Sequence, residues 1–376
     1  MLGPYVTSRD RVIKYRGNKI FPPIKDISEV KLSVSDVENR VQQLHDNPTW
    51  PAISRINNTI NNQITNYFNS IGALFMPLPM TTRMISSPGA VYGKESIDYT
   101  TDTSPMALRW FDLPNQVFLA ESSRIYLELA LLQKDIDQVF ANYHSFRKEE
   151  SDATHLSEFH HVEYEGKISQ KRNLEVIKDM LKIIVSGLIK DNLGDLRLFI
   201  HDERIGELEV MFSKPIQIIT LKEALSYLYE DTKDERYKEF TLQNFGPYEE
   251  IRLTEIIGNV VGVSEMPLLE VPFYHAMKDN TDPLVADNTD IIWPGYRETV
   301  GSGHRVRSLS ELEEKALIFN LPKEDYEPYI QSRRFSDYKE TSGFGIGWER
   351  LIQGILEMPF IYSASLFPRV HNTLKP

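Results

Sequence analysis

The chain has no cysteine in its 376 residues. Disulfides, thiolate nucleophiles and cysteine-ligated metal sites are therefore excluded. No apolar run is long enough to cross a bilayer, and the opening Met1-Leu2-Gly3-Pro4-Tyr5 lacks the basic-then-apolar layout of a secretory signal. No membrane role is expected, and a cytoplasmic address is. Positive charge is in deficit: 42 Lys and Arg face 54 Asp and Glu, a net charge of −12. That balance opposes a nonspecific nucleic-acid binder but leaves room for a local basic groove. Internal repeats and low-complexity tracts are absent. With 41% hydrophobic and 26% charged residues, the chain has the composition of a globular protein of one large domain or two modest ones.

Residues 1–50 read as an irregular extension. Arg9, Arg11, Lys14, Arg16 and Lys19 make its first part basic, and Pro22-Pro23 breaks it. Apolar residues at Ile53, Ile56, Ile60, Ile64, Tyr67, Phe68 and Ile71 have helical spacing, with Gly72 as the stop. Leu74 to Met80 reads as an extended stretch whose prolines suit an edge or an interface. A strand is expected at Val117–Ala120 and a helix from Ile125 to Leu132. Two strands are expected across 143–166, around a polar loop from Glu150 to Thr154. Further helices are expected at 173–191, 221–229 and 309–319, and after Arg350. Asp290 opens a strand that ends in a turn at Pro294-Gly295. Residues 192–260 alternate strand-like and helical pieces without a site signal.

The most informative segment is Ser342-Gly343-Phe344-Gly345-Ile346-Gly347-Trp348-Glu349-Arg350-Leu351. Glycines alternating with apolar residues suit a strand that something approaches closely. The arginine at its end is a natural phosphate clamp. Three other stretches add to it. They are the helix ending at Gly72 with Pro79 after it; Phe146-Arg147-Lys148-Glu149 with His155 to Phe159 and Glu163; and Asp290 to Arg305, with Pro294-Gly295, Glu298 and Gly301-Ser302-Gly303. Taken singly, these read as an amphipathic helix, a surface ion pair and a turn.

Together, in this order, the four stretches resemble the catalytic domain of class II aminoacyl-tRNA synthetases, nearest the asparaginyl and aspartyl subgroup. The resemblance covers roughly 52–370 and is weak over 190–265. It implies an α+β fold, an antiparallel sheet flanked by helices, in a homodimer built around Pro79. It implies an N-terminal extension at 1–51 and a catalytic domain at 52–376, with 192–265 a less certain insertion. ATP and Mg²⁺ are the implied cofactors. Arg147 would grip the substrate carboxylate and the α-phosphate, Glu149 the adenine amino group and His155 the distal phosphates. Phe159 would stack on adenine and Arg350 hold the γ-phosphate, while Glu298 and Asp290 bind the metal. A bidentate cation between two anions lowers the barrier when a carboxylate attacks phosphorus.

Departures from the pattern lie in the amino-acid half. The resemblance places substrate contacts at Glu121, Ser122, Arg124, Glu128, Arg305 and Thr341. Arg124 stands where relatives have a glutamine that helps bind the α-amino group. A guanidinium cannot accept a hydrogen bond from an ammonium. Either Glu121 neutralises it or the substrate carries an anion there. Leu127 replaces the lysine of the aspartyl enzymes, and Glu340-Thr341 replaces a Pro-His pair. The stretch before residue 52 leaves no room for the anticodon-binding barrel of those enzymes, as in truncated, asparagine synthetase-like relatives. The expected activity is an AMP-forming ligase that joins an aspartate- or asparagine-like acid to an amine or ammonia without tRNA. A barrel-less asparaginyl-tRNA synthetase, its basic N-terminus touching tRNA, and a non-catalytic amino-acid or adenylate sensor are the alternatives.

Overall fold

The computed structural model describes residues 5–8, 10–15, 18–21, 39–92, 104–149, 151–371 and 374. The helix Thr49–Ser70 buries Ile53, Ile56, Ile60, Ile64 and Phe68, the stripe that its three-and-four spacing dictates. It packs beside the equally long helix Gln170–Asp191, whose N-cap Ser169 accepts the Arg172 N–H. Together they cover one face of an eight-stranded sheet.

The strand order across that sheet is Gln217–Thr220, Val261–Ser264, Asn288–Ile292, Glu298–His304, Ser342–Gly347, Glu158–Gly166, Gln138–Phe146 and Leu74–Phe75. The six inner strands pair antiparallel, and each edge strand pairs parallel with its neighbour. On the helix-covered face, Phe68 stacks on Tyr164 at 5.4 Å, and Tyr164 lies 5.3 Å from Phe344. Residues of alternate parity point the other way. Phe159, His161, Glu163, Gly345 and Gly347 therefore line the opposite face, where the main cavity opens. The register shifts at Ile291/Ile292, opposite the start of the Glu298–His304 strand. A bulge of this kind re-aims side chains, and Glu298, Thr299 and Gly301 all reach the cavity.

Four expectations change. The N-terminal segment, expected to be irregular, forms a three-stranded meander of Tyr5–Thr7, Ile13–Tyr15 and Asn18–Phe21. Tyr5 and Ile13 are buried in the main core. The Thr7 N–H donates to Glu255 at 2.8 Å, and Arg11 pairs with Glu249. Of the other basic residues there, Arg9 and Arg16 and the side chain of Lys19 lie outside the described residues, as does Glu150 of the polar loop. The expected boundary at residue 52 falls inside the helix Thr49–Ser70. Residues 192–265 supply two strands of the main sheet and the helix Pro247–Ile257, with Pro247 in its first turn. Gly301-Ser302-Gly303, read alone as a turn, lies within a strand.

Candidate active site

The cavity measures about 640 Å³ and gathers residues from four strands and the loops and helices beside them. Glu121, Ser122, Arg124, Arg147, Glu149, His155, Phe159, Asp290, Glu298 and Arg350 all line it, although they are spread from residue 121 to residue 350.

 Arg147 and Phe159 face each other, with the guanidinium carbon 5.2 Å from the ring centroid. An aromatic face under a cation suits a flat purine beside an anionic phosphate.

Arg350 sits in the first turn of the helix Trp348–Ile355. Its Nη1 donates to the Glu298 carbonyl at 2.7 Å and its Nη2 to the Thr154 carbonyl at 3.1 Å. Both bonds hold the fork in place. Burial, then Arg297, pushes its pKa down, because two guanidinium groups crowd the same end of the cavity. Such crowding favours a polyanion there. Arg297 was not singled out by the sequence reading, although it lies inside a quoted motif. It pairs with Glu250 at 2.7 Å, and its Nη1 donates to His155 Nε2 at 3.2 Å. His155 must therefore carry its proton on Nδ1, 2.9 Å from Asp152. Asp152 is held well below the usual carboxylate range, with His155 and Arg297 outweighing its burial.

At the cavity's centre, Asp290 and Glu298 share the neighbourhood of Gly301. A Cβ there would stand 2.6 Å from Glu298 Oε1 and 3.6 Å from Asp290 Oδ1. Burial, then the Glu298 charge, raises the Asp290 pKa well above its ordinary value. Two hard oxygen donors that repel one another fit a cation. Among the described residues no group of three or more His, Cys, Asp or Glu is arranged to hold a metal, so other oxygen ligands would have to complete a shell.

Arg124 forms the floor. Its Nη2 donates to the Gly301 carbonyl at 2.9 Å and its Nη1 to Tyr274 Oη at 3.2 Å, and its Nε lies 3.6 Å from Glu163. Gly345 leaves room for this side chain, since a Cβ would meet Arg124 Nη2 at 2.8 Å and displace it. The alternating glycines thus admit the protein's own side chains. Glu163 is fully buried and takes hydrogen bonds from Ser122 Oγ at 2.5 Å and from Ser123. Burial, then Arg147 and Arg124, pushes the His161 pKa well below its ordinary value. Glu121, offered as the partner of Arg124, instead accepts the Ser87 N–H at 2.9 Å.

Three expected substrate contacts do not reach the cavity. Arg305 is fully buried behind Tyr274, its Nη2 2.8 Å from Glu165 and its Nε 3.9 Å from Glu128. Glu128 also accepts from Arg333 at 2.5 Å and Tyr329 Oη at 2.7 Å. Thr341 is buried, and its carbonyl accepts the Arg305 N–H at 2.9 Å. These groups form a charge network that does not line the cavity, although Arg305 Nη1 keeps no hydrogen-bond partner. Conversely, Leu242, Gln243, Phe245, Gly246 and Glu250 line the cavity, from a region that had given no site signal. The Gly246-Pro247 helix start was visible in the sequence, but nothing local showed which way it faced.

Comparison with known proteins places this geometry. Asparagine–tRNA ligase of Thermus thermophilus is 28% identical over 334 residues, covering 86% of this chain and 71% of that protein. The Thermoplasma acidophilum asparagine–tRNA ligase is 26% identical over 375 residues, covering 99% and 80%. The structure of asparaginyl-tRNA synthetase from Pyrococcus horikoshii complexed with asparaginyl-adenylate matches with a TM-score of 0.79 at 22% identity, over 97% of this chain and 78% of that one. That likeness establishes the fold, a class II synthetase core. Residues 34–371 match the family described as tRNA synthetases class II (D, K and N). The chain belongs to this family and is an ATP-dependent, aminoacyl-tRNA synthetase-like ligase.

Proposed function

We propose that the chain is an AMP-forming ligase which adenylates an aspartate- or asparagine-like acid and passes the acyl group to ammonia or another amine without tRNA. The observation that carries this reading is the convergence of Arg147, Glu149, Phe159, Glu298 and Arg350 on one cavity whose floor is Arg124. Phe159 and Glu149 hold adenine, and Arg147 bridges the substrate carboxylate and the α-phosphate. Arg350, with Arg297 and His155 beside it, holds the distal phosphates. Glu298 and Asp290 would hold Mg²⁺, which when bound supplies charge neutralisation on the phosphates. The attack needs no base, because the carboxylate is already ionised; alignment and charge stabilisation suffice.

The altered floor supports an acid other than an ordinary zwitterion, or one bound in another orientation. Arg124 Nε makes no hydrogen bond, although it lies 3.6 Å from Glu163, and its guanidinium leaves room for a second anionic group in the cavity. The net charge of −12 and the engagement of Arg11 with Glu249 support a tRNA-independent acceptor, since a tRNA body needs a basic footprint. A second reading, tRNA charging, is favoured by the curated relatives, which are asparagine–tRNA ligases. The acceptor assay separates the two. Enzyme charged with acid and Mg·ATP should release amide with ammonia in the absence of RNA. Acyl transfer to tRNA alone would establish the second reading.

The same proposal includes a homodimer built on the Leu74–Phe75 edge. Among the described residues that strand pairs on one side only, and Leu74, Phe75 and Met80 are 48, 54 and 47% exposed. An open apolar edge is a natural isologous contact. Sedimentation should give twice the chain mass for the wild type and the monomer mass for Phe75→Glu. A monomeric wild type would remove the dimer.

A further inference from the structure

One buried acid at the cavity has no part in activating the carboxylate. Glu121 is 1% exposed and lines the cavity next to Ser86, Ser87 and Arg147. One of its oxygens accepts the Ser87 N–H, while Oε1 is buried without a partner. A carboxylate beside the arginine that gathers two anions works against adenylation, so its presence there calls for a different step. That step is the second half of the reaction. When an amine attacks an acyl adenylate, the nitrogen gains positive charge as the carbon–nitrogen bond forms. Unless a proton leaves, the adduct reverts.

We propose that Glu121 is the base of the amide-forming step, its free Oε1 accepting the proton of the attacking amine. The role rests on the amide-ligase reading above. A neutral amine attacks the acyl carbon, and the carbon–nitrogen bond forms. One N–H proton passes to Oε1. The bond between the acyl carbon and the phosphate oxygen breaks, its electron pair leaving with AMP. The proton on Glu121 then goes to solvent as products depart. The surroundings suit the task. Burial pushes the Glu121 pKa up to about 7, and the Glu149 charge adds to this. The Ser86 and Ser87 N–H groups and Arg147 oppose it. A base with a pKa near the working pH is the efficient kind.

The test is single-turnover transfer from adenylate formed on the full-length enzyme with aspartate and Mg·ATP, offered ammonia or hydroxylamine. Hydroxylamine is a strong nucleophile of low basicity and depends less on a base. For Glu121→Gln, the ratio of amide to hydroxamate should fall by roughly 100-fold or more. With the wild type, the amide rate per free ammonia should rise to about pH 7 and then level. Glu121→Asp should restore part of the ratio. An unchanged ratio in Glu121→Gln would overturn the base. So would a wild-type profile with no inflection near neutrality, which decides the matter even if the variant fails to fold. A raised KM for aspartate with an unchanged ratio would make Glu121 an ammonium holder instead, also overturning the base. Wild type that yields hydroxamate but no amide removes the amide-ligase reading, and the base with it, whereas loss of the ratio effect alone leaves that reading standing.

Discussion

Arg350→Ala loses ATP–pyrophosphate exchange by a factor on the order of 10²–10³, while its unfolding transition stays close to that of the wild type. The guanidinium is half-buried at the end of the cavity proposed for the distal phosphates, where both of its arms are tied to carbonyls, at Glu298 and Thr154. Those bonds fix the fork before nucleotide arrives. Its depressed pKa reflects burial and the neighbouring Arg297, a repulsion that bound phosphate relieves. Removing one of two crowded cations therefore costs the folded state little. It leaves the developing charge of the transition state short of a fixed donor. Arg350→Lys should recover only a fraction, since an ammonium cannot reach both carbonyls as a planar fork does. Pyrophosphate exchange and urea denaturation on the same preparations check both halves. Full exchange in Arg350→Ala would remove the clamp.

Arg305→Ala has the opposite signature: a loss of about 3–5 kcal/mol of stability, as expected when one partner of a buried ion pair is removed. Arg305, Glu165, Glu128 and Arg333 lie together beneath the cavity floor. Burial raises the Glu165 pKa above its ordinary value, with Glu128 adding to the rise and Arg305 opposing it. A carboxyl whose folded pKa exceeds its unfolded value contributes stability below the unfolded value. It loses that contribution as pH rises through the folded one. Without Arg305, the folded pKa climbs further. The deficit of Arg305→Ala should therefore be smallest near pH 5 and larger at pH 8, measured by urea unfolding. Wild-type stability at both pH values, joined to a raised KM for the acid, would return Arg305 to the substrate site.

That the residues assigned to the nucleotide share one cavity was legible because they come in short motifs on regular elements. Arg147, Glu149 and Phe159 lie on and just beyond two paired strands, and their spacing follows from the pleat and the intervening loop. Arg350 follows its strand directly. The acid half was less legible. Arg305 pairs with Glu165, 140 positions away, and a motif does not say whether an arginine faces a ligand or a buried carboxylate. The strand Glu298–His304 was hidden by its own glycines, which are poor strand formers until a neighbouring sheet holds them. The wall from Leu242 to Glu250 and the docked N-terminal meander depend on long-range packing, for which no local periodicity exists.

The central claim is that this cavity activates a carboxylate with ATP. Pyrophosphate exchange by the purified wild-type chain, run with Mg·ATP against a panel of aspartate- and asparagine-like acids, tests it most directly. The account predicts acid-dependent exchange that Arg147→Ala and Arg350→Ala both abolish. Tight binding of an acid or nucleotide without exchange for any member of the panel would contradict it and leave a sensor in place of a ligase.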